Sequence, residues 1–289
     1  MKAPIFQMSV FILAVLALAC VSNSGLAQAP TPQSSNEILT FPGFHSQFLK
    51  PDRTIRIWLP PGYHSEKRRR YPVFYLHDGQ NLFKGGPSFI PNQAWNVDTA
   101  ALELIAKGEI VPIILVGIDN AGGERLNEYT PTENVKFKGS GKGDNYGNFI
   151  VKELKPFVDS HYRTLKDARN TALGGSSLGG LISLHLGLSY PKTFGKLAVL
   201  SPSIWWDDRV ILHRVEKMTT HPKLKIWLDM GTKEGEGMLL PARKLQAVLL
   251  VKGWKEDGDL QYFEAEGAGH NEKAWSERFP SVLKFLFRK

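Results

Sequence analysis

One serine lies in a segment whose glycines suit a nucleophile. Residues 175–179 (GSSLG) match the pattern G-x-S-x-G, and Ser177 occupies the central position. In hydrolases this pattern forms a sharp turn between a strand and a helix, which exposes the serine hydroxyl above the sheet. Neighbouring positions without a Cβ atom let backbone, helix and substrate approach closely. The segment predicts a nucleophilic Ser177, the alternative being a glycine-rich turn with structural serines.

A serine hydroxyl needs a base to take its proton, and His270 has the most suitable position in the chain. It lies in residues 266–271 (EGAGHN), between a strand pattern at 260–265 and a C-terminal helix. Enzymes with this kind of serine turn carry their catalytic residues in the chain order nucleophile, acid, base. We therefore predict that His270 is the general base. His77, at the end of an earlier strand pattern, is the alternative.

The acid that orients the base should follow a strand between these two residues. Glu234 comes just after the turn at Gly231 and Thr232, where a longer carboxylate can reach across to His270. We expect Glu234 to be the acid. The alternatives are Asp229, the pair Asp207 and Asp208, Glu236, and a dyad without an acid.

Two backbone amides are expected to stabilise the oxyanion of the tetrahedral intermediate. One is the amide of Leu178, directly after the predicted nucleophile. The other is the amide of Gln80, in a loop where Gly79 lets the chain turn. A plain strand-to-helix turn is the other interpretation of this loop.

The elements that position these residues alternate along the chain. Short apolar runs predict strands at 54–59, 72–76, 110–118, 197–200, 224–228 and 260–265. Apolar residues at helical spacing lie between them, at 149–158 and 181–188. Strands that are apolar throughout and separated by helices indicate a mostly parallel sheet covered on both faces. We predict one α/β domain over 38–289, with a long functional or mobile loop at 120–146.

Composition excludes several classes of protein. The 289 residues are 42% hydrophobic and 22% charged, as in ordinary globular proteins, and the only long apolar run lies at the N-terminus. A formal charge of +8 permits anionic partners. The basic run 67–70 (KRRR) has no aromatic platform beside it, so we predict no nucleic-acid partner. No metal-binding motif is present, and we predict no cofactor.

The N-terminus predicts export. Residues 8–21 (MSVFILAVLALACV) resemble the apolar region of a signal peptide and are too short for a transmembrane helix. We predict a signal peptide at 1–27, a flexible arm at 28–37, and a secreted or periplasmic protein without a membrane attachment. A lipid anchor on Cys20 is the alternative, although Ala17 stands where a lipoprotein signal carries Leu.

Several segments together resemble an esterase family of the α/β-hydrolase superfamily, which includes enterochelin esterase-like, feruloyl and acetylxylan esterase relatives. The matching segments are 71–83 (YPVFYLHDGQNLF), 116–120 (VGIDN), 125–129 (RLNEY), 149–164, 173–206 and 267–275 (GAGHNEKAW). The resemblance implies an α/β-hydrolase fold and a small-molecule ester substrate. It also implies the roles predicted above for Ser177, His270, Glu234, Leu178 and Gln80.

The resemblance adds two pairs of residues to the predicted site. Arg125 and Glu128 correspond to an R-x-x-E-Y element, in which an ion pair could brace the loop that enters the site. Trp205 and Trp206 are expected near the pocket, where they stack on a sugar or aryl group or fill core space.

The function predicted from these residues is hydrolysis of carboxylic esters, on carbohydrate-linked or aryl and acyl esters. Ferric-siderophore ester hydrolysis and acyl transfer to a sugar are alternatives within the family. A catalytically silent binding protein on the same fold is the non-enzyme alternative.

Overall fold

The computed structural model describes Met1 and residues 38–289. Apart from Met1, the predicted signal peptide and arm therefore lie outside the described residues. The described chain contains one eight-stranded sheet in the order β1-β2-β4-β3-β5-β6-β7-β8. Its strands are β1 (Ile38–Phe44), β2 (Arg53–Trp58), β3 (Val73–His77), β4 (Ile114–Ile118), β5 (Thr171–Ser176), β6 (Lys196–Leu200), β7 (Lys225–Gly231) and β8 (Leu260–Ala265).

The sheet is parallel except at one edge. Strands β4, β3, β5, β6, β7 and β8 pair in parallel, whereas β1 and β2 join antiparallel. The central strands β3, β4 and β5 are buried along their whole length, as expected for strands covered on both faces. The carboxyl ends of β5, β6 and β7 therefore lie side by side, at Ser176, Leu200 and Gly231.

Helices cover both faces of the sheet. They are α1 (Val97–Ala106), α2 (Arg125–Glu128), α3 (Gly143–Phe149), α4 (Lys155–His161), α5 (Leu178–Ser189), α6 (Trp206–Glu216), α7 (Glu236–Val251) and α8 (Glu272–Phe287). A π-helical segment, Ile150–Leu154, joins α3 to α4. Helix α5 ends just before Pro191, which cannot continue a helix. Among the described residues, no helix is long and apolar enough to cross a membrane.

Two apolar layers pack on the sheet. One contains α5 and α7 residues such as Leu181 and Leu245. The other contains Ala101 of α1 and Phe279 of α8. This arrangement confirms the predicted fold class, a mostly parallel α/β sheet of the hydrolase type.

The structure corrects two predicted elements. The run 110–118 forms a strand only from Ile114, where pairing with β3 begins. The predicted long loop at 120–146 is partly helical: a 3₁₀ turn, Gly122–Glu124, leads into α2, and α3 begins at Gly143. Ion pairs of Glu128 with Arg53 and of Arg125 with Asp78 hold α2 against the sheet.

Candidate active site

Ser177 lies at a strained turn between β5 and α5. Its φ of 60° and ψ of −122° are rare for a residue with a side chain. Backbone hydrogen bonds hold it there: the Ser177 amide donates to the Leu200 carbonyl, and the Ser203 amide donates to the Ser177 carbonyl, both at 3.0 Å. The turn places the half-buried Ser177 at the carboxyl edge of the sheet.

Glycines beside Ser177 allow this turn to pack closely. A Cβ atom on Gly175 would lie 3.0 Å from Cδ2 of His77, and one on Gly180 would lie 2.8 Å from the Leu200 carbonyl oxygen. Distances this short are rarely tolerated for real Cβ atoms. Close contacts with β3 and β6 therefore favour glycine at position 175 of the motif and at position 180 directly after it.

His77 lies beneath the turn and is not exposed to the cavities beside Ser177. Its side chain is buried, and Nδ1 lies 2.9 Å from the Tyr146 hydroxyl. Burial lowers the pKa of His77 from its usual 6.5 to about 3, so the imidazole is neutral. The structure therefore removes His77 as the alternative base and gives it a packing role.

His270 contacts Glu234, the acid that the sequence predicts. Nδ1 of His270 lies 2.6 Å from Oε2 of Glu234, whose side chain is fully buried. Trp275 packs against the imidazole edge to face, with ring centroids 4.9 Å apart. Because an ionised carboxylate only accepts hydrogen bonds, Nδ1 carries the hydrogen and Nε2 of the neutral imidazole is free to accept a proton.

Three hydrogen bonds stabilise the ionised form of Glu234. Besides His270, the Ser201 hydroxyl donates to Oε1 at 2.6 Å and the Gly231 amide donates to Oε1 at 2.8 Å. Burial alone would raise the pKa of Glu234, but these hydrogen bonds together outweigh it and lower the pKa. Neither the Ser201 contact nor its role was predicted from the sequence.

The other candidate acids do not contact His270. Asp229 is fully buried, accepts from the Trp227 indole at 2.8 Å and lies 3.0 Å from Arg278. Burial raises the pKa of Asp229, although Arg278 opposes this. Asp207 accepts a hydrogen bond from Thr132, and Asp208 and Glu236 are exposed.

Ser177 and His270 line the same two cavities. Within residues 38–289, no hydrogen bond joins the side chains of Ser177 and His270. The Ser177 hydroxyl lies 3.3 Å from the Ser203 hydroxyl instead. In hydrolases without substrate, catalytic hydrogen bonds are often long and tighten only when substrate binds. The arrangement therefore brings serine, histidine and glutamate to one site, with the serine–histidine bond still to form.

The two cavities differ in chemistry. The first, of about 490 Å³, is lined by charged and amide side chains such as Gln80, Asn120 and Arg125 and also by aromatic ones such as Trp95 and Trp275. The second, of about 310 Å³, is lined mainly by apolar side chains: Leu126, Phe137, Trp205 and Met238. A substrate that spans Ser177 would meet a mixed polar and aromatic surface on one side and a mainly apolar surface on the other.

The predicted oxyanion amides border these cavities. Gln80 lines the first cavity and Leu178 the second, apolar one. Within the described residues, no acceptor is found for either amide N–H. Two donors without acceptors beside a serine suit an oxyanion, which requires preorganised N–H groups.

The glycine beside Gln80 acts differently from the prediction. The left-handed residue of this turn is Asp78, with φ 56°, and not Gly79. Gly79 is required because a Cβ atom would lie 2.8 Å from the Asp119 backbone nitrogen. Close packing against the end of β4 therefore explains this glycine.

Arg125 and Glu128 do not pair with each other, contrary to the expectation. Arg125 forms a two-pronged ion pair with Asp78, at 2.7 and 2.8 Å. Glu128 pairs with Arg53 of β2, and both side chains are buried. Glu128 therefore links α2 to β2, whereas Arg125 links α2 to the residue that follows β3.

Trp205 and Trp206 have different environments. Trp205 is 43% exposed and lines the apolar cavity. Trp206 is fully buried and donates its indole hydrogen to the Thr132 carbonyl at 3.1 Å. Of the two expected roles, Trp206 therefore fills core space, and only Trp205 lines a cavity beside Ser177.

Within residues 38–289, no group of three His, Cys, Asp or Glu side chains is arranged to hold a metal ion.

The fold and the strained serine turn define an α/β-hydrolase, and the family comparison is more specific. The sequence model of the family described as "Putative esterase" matches residues 46–286. The chain therefore belongs to this family of carboxylic ester hydrolases.

Similar proteins include an endo-1,4-beta-xylanase/feruloyl esterase of Xylanibacter ruminicola, 27% identical over 85% of this chain and 31% of that protein. Another is the ferri-bacillibactin esterase BesA of Bacillus subtilis, 25% identical over 83% of this chain and 88% of BesA. Among solved structures, the BES protein from Bacillus cereus has a TM-score of 0.68 at 24% identity, covering 92% of this chain and all of that one. At this identity the structural likeness supports the fold.

Proposed function

We propose that this protein hydrolyses carboxylic esters through Ser177, His270 and Glu234. The observation that carries the proposal is the 2.6 Å contact of Glu234 with His270, because it leaves Nε2 of an imidazole that shares both cavities with Ser177 free to accept a proton. The strained backbone of Ser177 supports the same role, since nucleophiles of this fold occupy such turns.

The proposed reaction has two halves. Nε2 of His270 takes the Ser177 proton while Oγ bonds to the ester carbonyl carbon, and the amides of Leu178 and Gln80 hold the oxyanion. When the intermediate collapses, the C–O bond to the alcohol breaks and His270 returns the proton to the leaving oxygen. Water then loses a proton to His270, attacks the acyl-enzyme, and releases the carboxylic acid and free Ser177.

The substrate class we propose is an ester with an aryl or other apolar group, including esters linked to carbohydrate. Phe137 and Trp205 are 38% and 43% exposed, and both line the apolar cavity beside Ser177. Exposed aromatic side chains that gather in a cleft are typical of ligand-binding surfaces. The feruloyl esterase relative supports the same class.

Steady-state kinetics test the proposal. Ser177→Ala and His270→Ala should each lower kcat for methyl cinnamate-type esters by several orders of magnitude and leave the fold unchanged. Ser176→Ala removes the neighbouring hydroxyl and is the matched control, expected to retain most activity. Full activity of Ser177→Ala would refute the proposal.

Hydrolysis of a ferric-siderophore ester is a second candidate. BesA is named for such a substrate, and the side-chain amide of Gln80 in the first cavity can donate a hydrogen bond to a catecholate oxygen. Competition between a ferric tricatecholate triester and an aryl ester distinguishes the two. A larger kcat/KM for the siderophore would favour this candidate.

We also propose export, with residues 1–27 removed as a signal peptide. Intact-mass measurement of protein recovered outside the cytoplasm should give a chain that begins at Gln28. A mass that retains Met1, or a lipid on Cys20, would contradict this.

A further inference from the structure

The hydrogen bond of Ser201 to Glu234 belongs to a larger buried network behind the carboxylate. Ser201 follows β6, is fully buried and has a left-handed φ of 40°. Its hydroxyl contacts three side chains: Glu234, Trp275 and Arg278. It lines neither cavity beside Ser177. A direct contact with substrate is therefore not its role.

The partners of Ser201 fix the direction of its hydrogen. The Trp275 indole N–H lies 3.0 Å from Oγ, and Nη2 of Arg278 lies 2.6 Å from it. Indole and guanidinium groups only donate hydrogen bonds, so they use both lone pairs of the hydroxyl oxygen. The hydroxyl hydrogen must then point to its remaining partner, Oε1 of Glu234.

This direction determines how Glu234 presents its two oxygens. Oε1 receives the Ser201 hydroxyl and the Gly231 amide, which together fill its lone pairs in this environment. Oε2 is left for Nδ1 of His270. A rotation of the carboxylate would break two hydrogen bonds at Oε1, so the orientation toward His270 is fixed.

Arg278 links this arrangement to a second buried carboxylate. Its guanidinium lies 3.0 Å from Asp229 and 3.7 Å from Oε1 of Glu234, and only 4% of the side chain is exposed. Asp229 also accepts from the Ser201 amide at 3.1 Å. Arg278 therefore holds the Ser201 oxygen in place and compensates two buried negative charges.

We propose that Ser201 is a positioning residue, whose hydroxyl hydrogen fixes Oε1 of Glu234 so that Oε2 holds His270 in the tautomer needed to accept the Ser177 proton. The inference rests on the proposed function. It assigns a catalytic consequence to a serine that touches no substrate.

A double-mutant cycle tests the inference. Ser201→Gly removes the hydroxyl and suits the left-handed backbone. It should lower kcat on the order of tenfold, the scale of one charge-assisted hydrogen bond, with KM unchanged. Glu234→Gln should itself lower kcat strongly, because its amide would face His270 and favour the wrong tautomer. In that background Ser201→Gly should cause no further loss.

Ser46→Ala is the matched control. The buried Ser46 hydroxyl also donates to a glutamate, Glu153, at 2.6 Å and accepts from two amides, but neither Ser46 nor Glu153 lines a cavity beside Ser177. It should change kcat in neither background. Thermal midpoints of all variants show whether each protein is folded.

Each result of the cycle is decisive. An unchanged kcat in Ser201→Gly would overturn the positioning role while leaving the triad intact. So would an equal fall in kcat when Ser201→Gly is introduced into wild type and into Glu234→Gln. Full activity of Glu234→Gln would remove Glu234 as the acid, and the inference would fall together with that part of the proposed function.

Discussion

Two histidines lie next to the serine turn, and their surroundings give them opposite roles. His77 is enclosed beneath Gly175 and Gly179 and contacts the Tyr146 hydroxyl. The His270 side chain is 36% exposed, at the border of both cavities, and contacts a buried carboxylate. Exposure to the cavities, rather than nearness to Ser177, therefore separates the proposed base from the packing residue.

The burial of His77 predicts a pH dependence of stability. The pKa of His77 is about 3 in the folded protein and about 6.5 in the unfolded chain. Between these two pH values the unfolded chain binds a proton at His77 and the folded protein does not. This site therefore costs stability as the pH falls through that window, by about 1.4 kcal/mol per pH unit. Urea unfolding between pH 6 and 4 should show a shallower decline for His77→Gln than for wild type.

The control for this measurement is His64→Gln at an exposed position, which should follow the wild-type slope. Parallel curves for wild type and His77→Gln would show that His77 is protonated in the folded state.

Residue types and chain order predicted which residues lie together at this scale. Ser177, His270 and Glu234 were selected from the G-x-S-x-G pattern and chain order, and the structure brings them to one place. The adjacent Trp205 and Trp206 could not be separated, because two neighbouring residues of the same type give no signal of which side chain is buried. Ser201 was missed because a lone serine after a strand gives no signal of the indole and guanidinium donors that reach it from α8.

At the scale of elements, the contact of Glu234 with His270 depends on how closely two loops approach. A Cβ atom on Gly231, at the end of β7, would lie 2.3 Å from the Ala268 carbonyl oxygen in the loop before α8. The Lys233 amide donates to the same carbonyl at 3.0 Å. Gly231 therefore lets the acid loop and the base loop pack together.

Gly231→Ala should separate these loops and lower kcat/KM on the order of a hundredfold, since small displacements of catalytic groups have effects of this size. Gly237→Ala is the control in the neighbouring helix α7, where an added Cβ meets no atom within 4 Å. It should retain activity and raise stability by up to about 1 kcal/mol, as alanine favours helix. Equal activities of the two variants would contradict this account of Gly231.

Strands were easier to predict than helices from this sequence. The apolar runs at 54–59, 72–76 and 260–265 correspond closely to β2, β3 and β8. Helices α6 and α7 were not predicted. Left-handed residues open α6, and Pro241 lies inside α7, so both sequences lack the usual helical start and continuity. Their positions depend on packing against the sheet.

At the scale of the whole molecule, two cavities of different chemistry meet at Ser177. Trp205→Ala should lower kcat/KM for a methyl cinnamate ester about three- to tenfold more than for methyl butyrate, because the apolar cavity loses an aromatic contact. Phe263→Ala, an equally exposed aromatic on β8 outside both cavities, is the control. Equal losses of kcat/KM for both esters in Trp205→Ala would show that the aryl group binds outside the apolar cavity.

The central claim is that Ser177 forms the covalent bond with the substrate. Reaction with a fluorophosphonate, followed by peptide mass mapping, identifies the modified residue directly. We predict one adduct, on Ser177, and none in folded Ser177→Ala. An adduct on any other residue, or undiminished labelling of Ser177→Ala, would contradict the account.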